Sequence, residues 1–296
     1  MPNNTDAMTR PRRSCLYMPG SNRRALEKAR TLPADVIIMD LEDAVAPELK
    51  AQAREQVVSA LTDGGFGQRE VMVRINGIHS DWGLLDLDAI LAAQPDAIVL
   101  PKAETEADIR CVSQRILDAH LPGDMTVWAM IETPMALMNI GQIAAAAKTS
   151  RLRGLIVGSN DLIKDLRIAS RRDRQTLLPA LISVVTAARA YGLEAIDGVY
   201  NDIADEVGLR AECEQGRDLG FDGKTVIHPS QLAICNELFR PDADSIDWAY
   251  KVRAAFDLPE HQTAGVIKLD GHMVERLHLE QAERLITLHE AIQAYS

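Results

Sequence analysis

A chain of 296 residues, 47% of them hydrophobic, can bury a sizeable core, and one large α/β domain suits that length as well as two small ones. A net charge of −11 excludes a general nucleic-acid binder, which needs a basic face, and no apolar run approaches the length of a membrane span, so no membrane contact is expected. Cys15, Cys111, Cys213 and Cys235 are scattered without any Cys-x-x-Cys spacing, which argues against a zinc site or a disulfide framework and for a reducing, cytoplasmic setting.

Residues 1–12, polar and containing Thr, Asn and Pro, read as a flexible N-terminus. Ser14-Cys-Leu-Tyr-Met18 is a first buried strand, broken by Pro19-Gly20, with Ser21 or Asn22 capping a helix over 23–30. Strand, turn and helix recur as 35–41 with 48–61, and as 70–75 with 82–93. A fourth strand, 97–100, precedes Pro101-Lys102-Ala103-Glu104 and a long helix to about His120. Thr126-Val-Trp-Ala-Met-Ile-Glu132 is an apolar run that ends abruptly at an acid, before Thr133-Pro134 and a helix over 135–148. Gly154-Leu-Ile-Val-Gly158 repeats the pattern and closes with Ser159-Asn160-Asp161. Helix 176–191, strand 193–197, helix 205–219, strand 223–227 and helix 230–239 complete the series.

Eight strands, each followed by a helix, predict an α/β fold of the closed (β/α)8 type, a TIM barrel, over 13–240. The rival open sheet usually carries a Gly-rich phosphate turn after its first strand, and Met18-Pro-Gly-Ser-Asn22 lacks that spacing. Beyond Pro241 the alternation stops. A helix over 246–256, an extended piece over 265–269, a turn at Asp270-Gly271 and a helix over 278–295 make 241–296 a C-terminal extension, suited to a lid or a subunit contact.

Consecutive strands of a parallel sheet put Glu132 and Asp161 on one rim, close enough to hold one hard cation through oxygen ligands. Two carboxylates plus waters and substrate oxygens suit Mg²⁺, and no His/Cys cluster points to zinc. Either acid alone reads equally well as a helix cap; the pair points to metal. Chemistry in such a barrel sits at the strand C-terminal ends, where Asp40, Glu42, Asp43, Arg74, Lys102, Asn160, Asn201 and His228 also fall. Arg74, inside an otherwise apolar strand, needs an anion: a rim acid, or a substrate carboxylate held by two hydrogen bonds. Lys102 is expected to pair with a rim acid, and His228 to cap the turn before Pro229. Residues 40–43 would accept from metal-bound water.

The stretches Arg13-Ser-Cys-Leu-Tyr-Met-Pro-Gly20, Asp40-Leu-Glu-Asp-Ala-Val45, Val73-Arg-Ile-Asn76, Pro101-Lys-Ala-Glu104, Ile131-Glu-Thr-Pro134, Gly158-Ser-Asn-Asp-Leu162 and Asp222-Gly-Lys-Thr-Val-Ile-His-Pro229 occur in this order. Together they resemble the citrate lyase β-subunit-like, or malyl-CoA lyase, family of the HpcH/HpaI aldolase superfamily. The resemblance implies a Mg²⁺-dependent enzyme acting on small-molecule acyl-CoA thioesters, usually a homotrimer or hexamer. By that likeness Glu132 and Asp161 bind the metal, Arg74 holds the substrate carboxylate, and Glu42 and Asp43 support the metal waters. Asn160 joins the substrate-binding set. The implied reaction is retro-Claisen C–C cleavage of a 3-hydroxy-dicarboxyl-CoA of malyl-CoA or citramalyl-CoA type. CoA phosphates approaching an acidic chain need a local cationic patch, for which Arg23, Arg24, Lys28 and Arg30 are candidates and Arg171, Arg172 and Arg174 a second choice.

One departure concerns the tail, Asp270-Gly-His-Met-Val-Glu-Arg-Leu277. Lyases of the family typically carry there a catalytic Asp contributed by a neighbouring subunit; Glu275, one methylene longer, takes its place. A displacement of about an ångström costs on the order of a hundredfold in rate where geometry is strict. This tail, with Asp197-Gly-Val-Tyr-Asn201 and Leu209-Arg-Ala-Glu-Cys-Glu-Gln-Gly216, most resembles the (3S)-malyl-CoA thioesterase branch, in which water attacks the thioester. The lyase stands first because the metal and carboxylate sites are intact, with the thioesterase as the alternative. A metal-dependent 2-oxo-acid aldolase and a non-catalytic acyl-CoA-binding subunit are the remaining readings.

Overall fold

The computed structural model describes residues 10–121 and 123–295. Most of the expected flexible segment, 1–9, lies outside the described residues. Arg12, counted with it, is instead buried and fixed at the base of the first strand. The chain divides into two compact units, one of Arg12–Phe239 and one built on the segment from Arg240 onward.

In the first unit β1 (Ser14–Pro19), β2 (Val36–Asp40), β3 (Glu70–Arg74), β4 (Ala97–Leu100), β5 (Thr126–Ile131), β6 (Leu152–Val157), β7 (Glu194–Asp197) and β8 (Gly223–Val226) follow one another in sequence order, all parallel. β8 pairs with β1 and closes the barrel. Around it run α1 (Arg23–Ala29), α2 (Lys50–Asp63), α3 (Gly83–Ala93), α4 (Glu106–Asp118), α5 (Pro134–Met138), α6 (Ile140–Ala145), α7 (Ser159–Leu166), α8 (Leu178–Ala190), α9 (Glu206–Leu219) and α10 (Leu232–Leu238).

The period of two along each strand sorts side chains between two layers. Leu16, Ile37, Met39, Val71, Val73, Ile98 and Val127 face outward and join the helices in the larger core. Cys15, Val36, Ile38, Met72, Val99, Trp128, Met130 and Ile156, with Tyr17 beside them, form a separate cluster that fills the barrel. Trp128 is fully buried, and Gly154 makes its place: a Cβ there would lie 2.2 Å from the indole ring. Arg12 stacks over the same ring, 5.1 Å from its centre, and its guanidinium reaches Glu70 at 2.5 Å and Glu194 at 2.6 Å. Arg153 adds a contact of 3.0 Å to Glu194. A buried ion cluster therefore seals the N-terminal end of the barrel.

Two elements differ from expectation. The single helix over 135–148 is broken at Asn139, whose backbone is not helical and whose amide donates to the Glu104 carbonyl at 2.9 Å. The loop after β6 contains α7, not foreseen as a helix, and Asp161 sits in its first turn.

The second unit pairs α11 (Ala243–Asp257) and α12 (Arg276–Ala294) with a hairpin of β9 (Val266–Leu269) and β10 (His272–Glu275). Its small core holds Ala249, Val252, Phe256, Ile267, Val274, Ala282 and Ile286. The expected extended piece is one arm of that hairpin, which turns at Asp270 and Gly271, both with positive φ. No helix among the described residues is long and apolar enough to cross a membrane.

Candidate active site

At the C-terminal ends of the strands lies a cavity of about 350 Å³. Tyr17, Asp40, Arg74, Met130 and Glu132 line it from β1, β2, β3 and β5, and Asn160 and Asp161 from α7. The polar groups continue the inward alternation of apolar strands: Asp40 follows Val36 and Ile38, Arg74 follows Met72, and Glu132 follows Trp128 and Met130.

Glu132 is 1% exposed. It does not cap α5, because the Thr133 hydroxyl does, accepting from the Ala136 N–H at 3.1 Å. The Lys102 N–H donates to Glu132 Oε1 at 2.6 Å, from a residue with φ of 50°. Burial pushes the Glu132 carboxyl up to about 7, and the nearby charge of Glu42 adds to the rise. Gly158 makes the position possible, since a Cβ there would come within 2.5 Å of Glu132 Oε2. The acid packs against the start of the very helix that carries Asp161. Asp161 is not the N-cap either; Gly158 occupies that position, and Asp161 faces Lys164 Nζ at 3.6 Å. The two acids thus meet at one cavity. Among the described residues no group of three or more His, Cys, Asp or Glu is gathered as for a protein-built metal cage, so this pair could hold a cation only with water or ligand oxygens filling the remaining positions.

Arg74 is paired with a rim acid. Asp40 takes its fork, with Nε to Oδ1 at 2.7 Å and Nη2 to Oδ2 at 2.6 Å, while Nη1 faces Glu42 at 3.1 Å and Asp43 at 3.5 Å. Asp40 is fixed in turn by the N–H groups of Glu42 and Ala44. Glu42 is clamped between Arg74 and the Lys102 ammonium, as expected for Lys102, and burial raises its pKa. Its side chain serves the ion pairs and is absent from the cavity wall, whereas Asp43 is part of that wall. Asn160 exchanges amide hydrogen bonds with Asn201, at 2.7 and 3.3 Å, across the mouth.

Of the two basic clusters, the first lies on the surface and the second is not a patch. Arg23, Arg24 and Lys28 are exposed on α1 and do not line the cavity; Arg23 pairs with Glu27 and borders a separate groove with Glu55 and Asp63. Arg171, Arg172 and Arg174 do not form a patch. Arg171 pairs with Asp173, Arg172 with Asp205, and Arg174 is buried on both oxygens of Asp197 at 2.8 Å. The fully buried Lys224 completes that network with Asp197 and Glu212. Burial opposes ionisation of Asp197, yet Lys224 and Arg174 hold it below the usual carboxylate range. His228 caps the turn at Pro229 as expected, accepting from Ser230 N–H. Glu275 lies in the second unit as the N-cap of α12, its N–H donating to His278 Nδ1 at 2.9 Å.

Sequence reasoning passed over Tyr17, absorbed into an apolar strand; the alternation Cys15, Tyr17 was the available signal. Its ring lies beneath Arg74, 4.7 Å from centroid to guanidinium carbon, and its hydroxyl approaches Met130 Sδ at 3.8 Å.

Comparison with known proteins adds four findings. A family model described as HpcH/HpaI aldolase/citrate lyase matches residues 13–229. The (3S)-malyl-CoA thioesterase of Cereibacter sphaeroides is 47% identical over 285 residues, which is 96% of this chain and 97% of that protein. Citrate lyase subunit beta of Escherichia coli is 34% identical, over 94% of this chain and 93% of that one. Among solved structures, the CitE protein of Mycobacterium tuberculosis in complex with magnesium, acetoacetate and coenzyme A superposes with a TM-score of 0.74 at 30% identity, covering 94% of this chain and 97% of that one.

Proposed function

The chain belongs to the HpcH/HpaI aldolase/citrate lyase family, and from that premise we propose that it is a Mg²⁺-dependent enzyme acting on the CoA thioester of a 3-hydroxy dicarboxylic acid of malyl or citramalyl type. The observation that carries the proposal is the meeting of Glu132 and Asp161 at one cavity with Arg74. The donor set suits the ion: two hard carboxylates, of which Glu132 Oε2 accepts no hydrogen bond among the described residues and is given its space by Gly158. Held by Glu132 and Asp161, Mg²⁺ would supply positive charge to the oxygens of the substrate's acid end.

The chain's own residues do the rest. Arg74, neutralised and oriented by Asp40, presents Nη1 to the cavity and fixes where a further anionic group can sit. Met130, Val157, Val199 and Ile227 give the cavity apolar walls that limit water. The Lys102 N–H holds the Glu132 carboxylate in place, with the Lys102 ammonium anchored on Glu42, and Asp43 is exposed to orient water. Asn160 and Asn201 offer amides to the acyl chain at the mouth. Glu275 is proposed as the proton-transfer group, supplied by the tail of a neighbouring copy in a homotrimer or hexamer, which places the segment 241–296 as lid and subunit contact. Light scattering measures that assembly. Four free cysteines support a cytoplasmic location.

Two outcomes are open to the same bound substrate. In hydrolysis, water adds to the thioester carbon, the C–S bond breaks, and CoA and the free hydroxy acid leave. In retro-Claisen cleavage the C–C bond breaks, giving a 2-oxo acid and a shorter acyl-CoA. Hydrolysis is favoured by Glu275 in place of Asp and by the 47% identity to the thioesterase, against 34% to the citrate lyase subunit.

Incubation with malyl-CoA, with free CoA, malate and glyoxylate assayed separately, decides between them. CoA with malate supports hydrolysis; glyoxylate with acetyl-CoA supports the lyase. No turnover with Mg²⁺ present defeats both. Turnover that disappears in Glu132→Gln and Asp161→Asn removes a non-catalytic binding subunit, and turnover of free hydroxy-oxo acids that ignores charge reversal at Arg23 and Arg24 would favour an aldolase.

A further inference from the structure

Two hydroxyls on the cavity wall, that of Tyr17 from β1 and that of Ser159 at the start of α7, have no strong acceptor among the described residues, and Tyr17 is the one that rises from the barrel interior beneath Arg74. Its oxygen reaches only the thioether of Met130, a weak acceptor, at 3.8 Å. Thr225, the other hydroxyl side chain on the wall from a strand, is already bound to the Asp197 carbonyl at 3.0 Å. A part-buried phenol that is left with a sulfur atom beside an open cavity has a donor free for a ligand.

Its surroundings define the kind of oxygen it can serve. Burial raises the phenol's pKa well above its ordinary value, with Asp40 and Glu132 adding to the rise, so it stays a neutral donor. The one free carboxylate left on the acyl group of a hydroxy-dicarboxyl thioester is matched by positive charge, at Arg74 and at the pair of acids that would hold Mg²⁺. Two substrate oxygens are neutral at rest and gain negative charge during reaction: the hydroxyl, by losing its proton in C–C cleavage alone, and the thioester carbonyl, in both outcomes. A neutral, pre-aimed donor adds little to ground-state binding and most where charge develops.

Resting on the reading of the site as one for CoA thioesters, we propose that the Tyr17 hydroxyl donates a hydrogen bond to the substrate's thioester carbonyl oxygen as that oxygen becomes negative. The role is the same for both outcomes. Water addition places the charge on this oxygen in a tetrahedral adduct, and C–C cleavage places it there in an enolate. No proton is transferred from Tyr17; the O–H bond stays intact and the hydrogen bond shortens.

The test is Tyr17→Phe, which keeps the ring beneath Arg74 and deletes only the hydroxyl. With malyl-CoA and Mg²⁺, kcat is expected to fall about 10²- to 10³-fold, the usual cost of one oxyanion donor, while KM changes less than about threefold. Free malate lacks the thioester, so its binding by calorimetry should not change, and the thermal midpoint should stay near that of the wild type. Tyr17→Leu removes the ring as well and should lower the midpoint, which separates the platform from the donor. A Tyr17→Phe enzyme with kcat within about threefold of the wild type overturns the assignment. So does weakened malate binding in proportion to the lost turnover, because Tyr17 would then serve the acid end. Wild-type protein inert towards malyl-CoA brings down the parent reading and this one with it; an active wild type with an unimpaired variant brings down this one alone.

Discussion

Glu132→Gln should make the metal-free protein more stable at alkaline pH while removing its response to Mg²⁺. Glu132 is 1% exposed and its carboxyl is pushed from 4.5 to about 7. The folded state therefore holds a proton that the unfolded chain has released between those values, and stability contributed by the protonated form is lost as pH rises through 7. The displacement corresponds to roughly 3 kcal/mol of destabilisation once the group is forced to ionise. Gln keeps an acceptor for the Lys102 N–H and carries no charge. In a barrel of this size, ~3 kcal/mol is about 6–12 °C in thermal midpoint. Melting wild type and variant in chelator at pH 8.5 should show the variant higher by that order, and the gap should narrow by more than half at pH 5.5. Saturating Mg²⁺ should raise the wild type alone, by mass action. A variant no more stable than the wild type at pH 8.5, or a gap indifferent to pH, would refute the account of Glu132 as a carboxylate strained by burial.

Gly158→Ala forces a methyl group within 2.5 Å of Glu132 Oε2 and should cut Mg²⁺ affinity at least about tenfold by calorimetry, with the barrel still folded; unchanged affinity would separate Glu132 from the metal. Arg74→Met strands Asp40 without its guanidinium and should cost about 3–5 kcal/mol in urea unfolding. Asn201→Ala frees the Asn160 amide at the mouth. It should raise KM for malyl-CoA several-fold and leave kcat unchanged in steady-state assays; equal KM values would remove the amide pair from substrate contact.

All eight strands were legible because each is a short apolar run bounded by turn residues, and parallel strands buried on both faces leave that mark. The acids at positions 132 and 161 were legible for a related reason: charge at the end of an apolar strand is conspicuous. Partners across strands were not. Asp40 and Arg74 lie directly opposite each other in the register of β2 and β3, a fact fixed only when the strands pair, so one sequence left the anion of Arg74 open. The second basic cluster misled for the opposite reason. Arg171, Arg172 and Arg174 are near in sequence, but the left-handed backbone at Arg174 turns its side chain inward to Asp197 while the other two reach outward. Helix α7 was hidden by its length of eight residues, too short for periodicity to be read.

The packed interior around Trp128, backed at the far end of the barrel by the ion cluster of Arg12, Glu70, Glu194 and Arg153, gives the cavity a solid floor. Whatever goes in first must come out last. On the proposed reading the acid portion of the thioester reaches that floor and sits beneath the bulky carrier, so the carrier has to depart first and traffic through the mouth is sequential. Free carrier should then compete with incoming thioester, while the small acid should inhibit in a pattern that reflects its place at the bottom of the queue.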